Sequence, residues 1–186
     1  MTDVNSLDDL SNGGKNPETK NTIIKYGVIL GLISIIIAVL TNLLGGADPL
    51  NPKPAVSFGL GCGGFIISIA VIVVAVKSIR DSEFNAGKIS LGDAFKIGFF
   101  ASIIGTVIAA CFNYLNLTVI NPEQLEAVRE MMEETMAGVD EDAQGFASFF
   151  TGFATNPGMQ FVSTLIFGTI FNAIFAIIVA AIVKKD

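Results

Sequence analysis

The fold is decided by residues 90–136, which read SLGDAFKIGFFASIIGTVIAACFNYLNLTVINPEQLEAVREMMEETM. The apolar run from 94 to 117 is long enough to cross a bilayer, whose hydrocarbon core requires about 20 mostly apolar residues. Asn121 and Pro122 then stop the run and favour a new helix, because Asn caps helices and Pro is tolerated in the first turn. The stretch predicts a membrane span followed by an acidic amphipathic helix outside the bilayer, and it contains no recognisable active site.

Three further apolar blocks accompany this one. The predicted spans are residues 23–44, 56–76, 94–117 and 159–183, and the predicted outer amphipathic helices are residues 122–137 and 141–154. With 52% hydrophobic and 15% charged residues, the chain has too little polar surface to cover four such helices in water. We therefore expect an all-α, integral membrane four-helix bundle with a short two-helix extramembrane insertion between spans 3 and 4. Residues 22–186 would form this domain, and the polar residues 1–21 a disordered cytoplasmic tail.

Positive charge is distributed unevenly along a chain whose net charge is −6. If the N-terminus is cytoplasmic, the outer segments hold only Lys53 and Arg129, and the inner segments hold nine basic residues. These nine are Lys15, Lys20, Lys25, Lys77, Arg80, Lys88, Lys96, Lys184 and Lys185. An excess of Lys and Arg on the cytoplasmic side orients membrane proteins, so we expect a multi-pass protein with both termini cytoplasmic.

Small residues recur at helical spacing within the spans and predict close helix packing, because they let backbones approach each other in lipid. The residues expected to serve packing are Gly27, Gly31, Ala101, Gly105, Ala109, Gly168, Asn172 and Ala176. Their partners can be one another or another subunit. The glycine-rich residues 59–64 indicate close packing or a kink, or an unwound half-helix that binds a ligand.

Asn113 and Asn172 are the most polar side chains inside the spans, and each predicts either an interhelical clamp or a substrate contact. In the outer insertion, Met131, Met132, Phe149 and Phe153 form a possible partner face. The same outer helices could instead pack on the bundle or lie in the lipid interface.

The sequence predicts no catalytic, cofactor-binding or metal-ligating residue, and therefore no enzyme. There is no His, and Cys62 and Cys111 lie inside predicted spans without a CxxC spacing. The acidic cluster of the outer insertion is explained by a solvated helix face. No nucleic-acid partner is expected.

Three groups of residues carry a resemblance to a known family. Lys25-Tyr26-Gly27 opens the first span, residues 91–98 read LGDAFKIG, and residues 112–114 read FNY shortly before INPE at 120–123. On these residues the chain resembles, over about residues 23–185, the bacterial domain-of-unknown-function family 4199, which comprises small integral membrane proteins with four predicted spans. The resemblance implies a bacterial inner membrane. It brings no established activity, so no site residues are carried over.

Two functions fit these observations. The first is a non-enzymatic subunit or scaffold that binds other membrane proteins, and the alternative is a component of a small oligomeric transporter or channel. Convergence of Asn113, Asn172 and residues 61–64 on one cavity would favour the alternative. The expected partners are the lipid bilayer and either a membrane protein or further copies of the chain.

Overall fold

The structure is a computed structural model that describes residues 17–48, 51, 53–83, 85, 87–137 and 151–184. The helices are α1 (Pro17–Leu43), α2 (Pro54–Arg80), α3 (Leu91–Leu115), α4 (Pro122–Ala137) and α5 (Pro157–Val183). A π-helix, Asn116–Ile120, extends α3, and residues 151–155 are helical. Helices α1, α2, α3 with its extension, and α5 are long and apolar enough to cross a membrane. The expected all-α membrane fold is confirmed.

Helix α1 begins earlier than its predicted span. Residues 17–21, which the sequence assigned to the tail, are helical, and Thr19 is buried. Pro17 occupies the first helical position, where its missing N–H costs nothing, and Glu18 lies in the first turn, where the helix dipole favours an acid. Of the predicted second outer helix, residues 141–150 lie outside the described residues.

Helix α3 is the central helix, since α1 packs along one side of it and α5 along another. Glycines allow this close approach on both sides. A Cβ on Gly27 of α1 would lie 2.9 Å from the carbonyl oxygen of Ala101 in α3, and a Cβ on Gly168 of α5 would lie 2.7 Å from Thr106 Cγ2. The structure thus shows which helices pack against the small residues of α1 and α5, and in both contacts the partner is α3.

Since α1, α2, α3 and α5 alternate in direction, residues 17 and 184 lie at one end of the bundle. We call this the terminal end, and the opposite end the loop end. The main buried cluster belongs mostly to the terminal end and contains Ile72, Ala75, Val76, Ile79, Ala94, Ile97, Val179, Ala180 and Val183. At this end Arg80 Nη1 also donates to the carbonyl of Val183, 3.3 Å away, and so ties α2 to the last residue of α5.

Towards the loop end, α2 stays close to α1 but is largely exposed on its other sides. A Cβ added at Gly59, Gly61 or Gly63 would meet nothing within 4 Å, and the Phe58 side chain is 75% exposed. Along this half α2 is held mainly by α1, because Gly64 faces Ile37. Helix α2 is therefore tightly packed at the terminal end and largely exposed at the loop end.

The connection from α1 to α2 fastens the exposed end. Gly45 has a φ of 74°, a left-handed conformation that suits glycine and turns the chain after α1. Ser57 Oγ then donates to the carbonyl of Gly46 at 2.5 Å, and Lys53 Nζ donates to the carbonyl of Leu44 at 3.2 Å. These side chains satisfy carbonyl groups of the turn that follows α1.

Caps define where α3 and α5 begin. Ser90 Oγ accepts from the Asp93 N–H at 3.1 Å and donates to Asp93 Oδ2 at 2.7 Å, so Ser90 and Asp93 together cap α3. Asn156 Oδ1 accepts from the N–H groups of Gly158 and Met159 at 2.9 and 3.2 Å.

Candidate functional site

Three asparagines meet at the loop end and are named here the asparagine triad: Asn42 of α1, Asn116 of the π-helix and Asn121. The Nδ2 groups of Asn42 and Asn121 both donate to Asn116 Oδ1, at 3.3 and 3.0 Å. Asn116 is only 6% exposed, so its carbonyl oxygen needs these donors. The triad therefore ties the end of α1 to the end of α3.

The π-helix makes this meeting possible. Pro122 disfavours the α conformation at the preceding residue, and Asn121 has φ −133° and ψ 62°. The Asn121 N–H bonds the Asn116 carbonyl five residues back at 2.7 Å, which widens the last turn. Asn121, which is expected to cap α4, also donates from its amide nitrogen to Asn116.

A pocket of about 280 Å³ adjoins the triad at the start of α4. Its lining comprises Asn42, Ala47, Asp48, Asn121, Glu123, Gln124 and Ala127. Gln124 Nε2 crosses to the carbonyl of Ala47 at 2.9 Å, so the pocket wall also ties α4 to the turn after α1. No group of three His, Cys, Asp or Glu side chains within the described ranges is arranged to hold a metal ion. The contacts found at this site are hydrogen bonds that join the ends of α1, α3 and α4.

A second concave region lies between α2 and α5 within the membrane and is named here the α2–α5 cleft. It has a volume of about 440 Å³ and is lined by Phe65, Ser68, Ile69, Ile72, Gly168, Phe171, Asn172 and Phe175. The rings of Phe65 and Phe175 meet edge to face across it, with centroids 4.7 Å apart.

Two polar side chains line the cleft. Ser68 Oγ donates to the Gly64 carbonyl at 2.8 Å, and Asn172 Nδ2 donates to Thr106 Oγ1 of α3 at 2.8 Å. Within the part of the chain that the structure describes, no donor reaches Asn172 Oδ1. Every buried polar side-chain atom among the described residues has a hydrogen-bond partner. Since Asn172 Oδ1 has none, it is not fully buried and borders open space.

The structure separates the polar residues that the sequence singled out. Asn172 lines the cleft, whereas Asn113 and residues 61–64 do not. The Asn113 side chain is half-buried and makes no hydrogen bond with the described residues. The three therefore do not converge on the cleft, and the asparagine triad, which does form a network, was not foreseen.

The predicted packing residues lie mostly at the interfaces of α3. Gly27 and Gly31 face Ile104 and Ile108 of α3, and Gly105 faces Leu30 of α1. Ala101 and Ala176 are buried, Gly168 and Asn172 reach Thr106, and Ala109 is half-buried.

The predicted partner face is only partly described. Met131 is 41% exposed, Met132 and Phe153 are half-buried, and Phe149 lies outside the described residues. Arg129 Nη2 of α4 donates to the carbonyl of Thr155 at 3.3 Å, so the outer helix contacts the segment that precedes α5.

Comparison with known proteins gives a family without an activity. No curated protein and no solved structure matches the chain. The family described as "Protein of unknown function (DUF4199)" matches residues 25–185, which include the four candidate spans almost entirely. This chain, with the four apolar helices of a multi-pass membrane protein, belongs to that family.

Proposed function

We propose that the protein is a non-enzymatic subunit or scaffold that binds a transmembrane helix of another membrane protein. The observation that carries this proposal is an unpacked face of α2, named here the glycine face, which consists of Gly59, Gly63 and Ala70. At 100° per residue these three positions lie within about 40° of one another around the helix. A Cβ on either glycine would meet nothing within 4 Å, and Ala70 is exposed.

The helix propensity of glycine supports a partner at this face. Each glycine in a helix interior costs about 1 kcal/mol relative to alanine. Among the described residues, contact with Ile37 accounts for Gly64, whereas Gly59, Gly61 and Gly63 meet nothing. Of these three open glycines, Gly59 and Gly63 share one face of α2. Their four-residue spacing is that of the small-xxx-small motif, which brings two transmembrane backbones into contact. A partner helix lying on this face would explain both glycines.

Ile66 adds a packing argument. It lies on the same side of α2, between Gly63 and Ala70 along the helix, and its side chain is 66% exposed. A β-branched side chain in a helix has one strongly preferred χ1 rotamer, so Ile66 loses little conformational freedom when a partner covers it. Helices in lipid associate largely through van der Waals packing. Two glycines that admit a partner backbone beside one stiff isoleucine therefore form a surface suited to another helix.

The proposed location is the bacterial inner membrane with both termini in the cytoplasm. Seven basic residues belong to the terminal end: Lys20, Lys25, Lys77, Arg80, Lys88, Lys96 and Lys184. The loop end holds Lys53 and Arg129. This excess supports a cytoplasmic terminal end by the positive-inside rule.

The test uses matched leucine substitutions on two sides of α2. Gly63 belongs to the glycine face, while Gly61 lies about 160° away around the helix, and a Cβ on either residue would meet nothing within 4 Å. Wild type, Gly63→Leu and Gly61→Leu would be extracted in mild detergent, and their native masses and co-purifying chains determined.

A stoichiometric foreign membrane protein that is lost from Gly63→Leu and retained by Gly61→Leu supports the proposal. Retention by both variants, or a monomer in all three preparations, contradicts it. A homo-oligomer without a foreign chain would instead favour the small oligomeric transporter or channel, and flux through reconstituted vesicles would then be measured.

A further inference from the structure

We propose that the α2–α5 cleft binds a hydroxylated aromatic ring carried by a lipid-soluble molecule, which is the head-group chemistry of quinols and other phenols. The site is independent of the proposed partner surface. Phe65 in the cleft and Gly63 in the glycine face lie about 160° apart around α2. A ligand in the cleft and a helix on the glycine face would therefore occupy opposite sides of the same helix.

The volume of the cleft suits a small molecule better than an enclosed helix. A helix with a diameter of about 10 Å and a pitch of about 5.4 Å fills roughly 420 Å³ per turn. The cleft, at about 440 Å³, holds no more than one such turn. It does fall within the range of about 300–1,000 Å³ that is typical of small-molecule sites.

Position restricts the source of the ligand to the bilayer interior. Ser68 and Asn172 each lie near the middle of a 27-residue helix, so the cleft is close to the centre of the bilayer. Lipid head groups stay at the interfaces, whereas aromatic molecules with long apolar tails dissolve in the hydrocarbon. The occupant is therefore a molecule whose polar group resides at mid-depth.

The lining selects an aromatic ring. Phe65, Phe171 and Phe175 supply three aromatic rings, and aromatic groups favour edge-to-face or offset contacts with one another. Phe65 and Phe175 already adopt an edge-to-face arrangement, with an interplanar angle of 70°. A ring placed beside them would extend this arrangement.

The polar atoms select a hydroxyl donor. Asn172 is oriented by its Nδ2 bond to Thr106, which leaves Oδ1 as an acceptor bordering open space. The Ser68 hydroxyl already donates to Gly64, so its oxygen can only accept from a ligand. A phenolic O–H can donate to either of these two acceptors, whereas the oxygen of an ether or a ketone could bond only to the second hydrogen of Asn172 Nδ2.

The test measures binding of tritiated para-octylphenol to the full chain in lipid nanodiscs, with para-octylanisole as the matched control. The two probes share a ring and a tail, but the methoxy group of the anisole cannot donate. We expect saturable binding of the phenol, and about fivefold weaker binding of the anisole, because one net hydrogen bond is lost. Competition by an unlabelled short-chain benzoquinol would identify quinols as a source of the ligand.

Two variants locate the site. Ser68→Phe fills the cleft and is expected to abolish saturable binding, whereas Asn113→Leu changes a half-buried asparagine outside the cleft and should bind like wild type. Elution as a monodisperse peak confirms that each variant is folded. Uptake no greater than by empty nanodiscs, equal affinity for phenol and anisole, or unchanged binding by Ser68→Phe would each overturn the proposal.

Discussion

Replacing Gly27 by alanine should destabilise the bundle through the contact between α1 and α3. The added Cβ would lie 2.7 Å from Ile104 Cβ and 2.9 Å from the carbonyl oxygen of Ala101. Neither atom belongs to the flexible end of a side chain, so α1 and α3 must move apart. Overpacking of this kind costs about 1–3 kcal/mol.

The matched control is Gly61→Ala, whose added Cβ meets nothing within 4 Å. Both substitutions gain about 1 kcal/mol of helix propensity, so this gain cancels when the two variants are compared. Gly27→Ala should therefore be less stable than Gly61→Ala by the packing cost alone, about 1–3 kcal/mol. Gly61→Ala itself should equal or exceed wild type in stability.

The assay is reversible unfolding by increasing mole fraction of SDS in mild-detergent micelles, followed by the loss of helical circular dichroism. The free energy of unfolding is compared among wild type, Gly27→Ala and Gly61→Ala under identical conditions. Equal free energies for the two variants, within about 0.5 kcal/mol, would refute the close approach of α1 to α3 as the source of stability.

Three further predictions concern other contacts. Asn116→Leu removes the acceptor of two amide groups and should lower the free energy of unfolding by about 1–3 kcal/mol. The control, Asn113→Leu, should change it by less than about 0.5 kcal/mol, and equal free energies for the two variants in the same SDS titration would contradict the prediction. Ser90→Ala should lower the free energy of unfolding by about 1 kcal/mol and speed hydrogen exchange of the backbone amides in the first turn of α3, whereas Ser90→Asp should retain the cap. Unchanged amide exchange in Ser90→Ala would contradict the capping role. Gly168→Lys places a charge against α3 within the membrane and should reduce folded yield far more than Glu133→Lys on the exposed face of α4; equal expression and equal detergent stability would contradict this.

The four spans could be predicted because length and hydrophobicity alone decide them. Which spans pack against each other could not be predicted. Gly27 and Gly31 indicate close approach on one face of α1, but a small residue does not specify which helix approaches it. The structure assigns that face to α3, with Gly105 interlocking from the other side.

The asparagine triad escaped prediction for a geometric reason. In an α-helix, Asn116 and Asn121 would lie about 140° apart and could not share a partner on one face. Only the π-helical turn brings them together, and no periodicity signals such a turn in advance. A proline directly after Asn121 was the one available hint, because it disturbs the preceding turn. The α2–α5 cleft was equally hidden, since it depends on the relative tilt of two helices.

Helix α2 is buried at the terminal end and largely exposed towards the loop end, and this difference affects how the protein responds to membrane thickness. A helix of 27 residues is about 40 Å long, which exceeds a hydrocarbon core of about 30 Å, and a helix with surplus length accommodates by tilting. The buried cluster fixes α2 at the terminal end, so a change of tilt displaces mainly its loop end. A change in bilayer thickness would then change the width of the α2–α5 cleft, which makes the lipid composition of the membrane a determinant of access to this cleft.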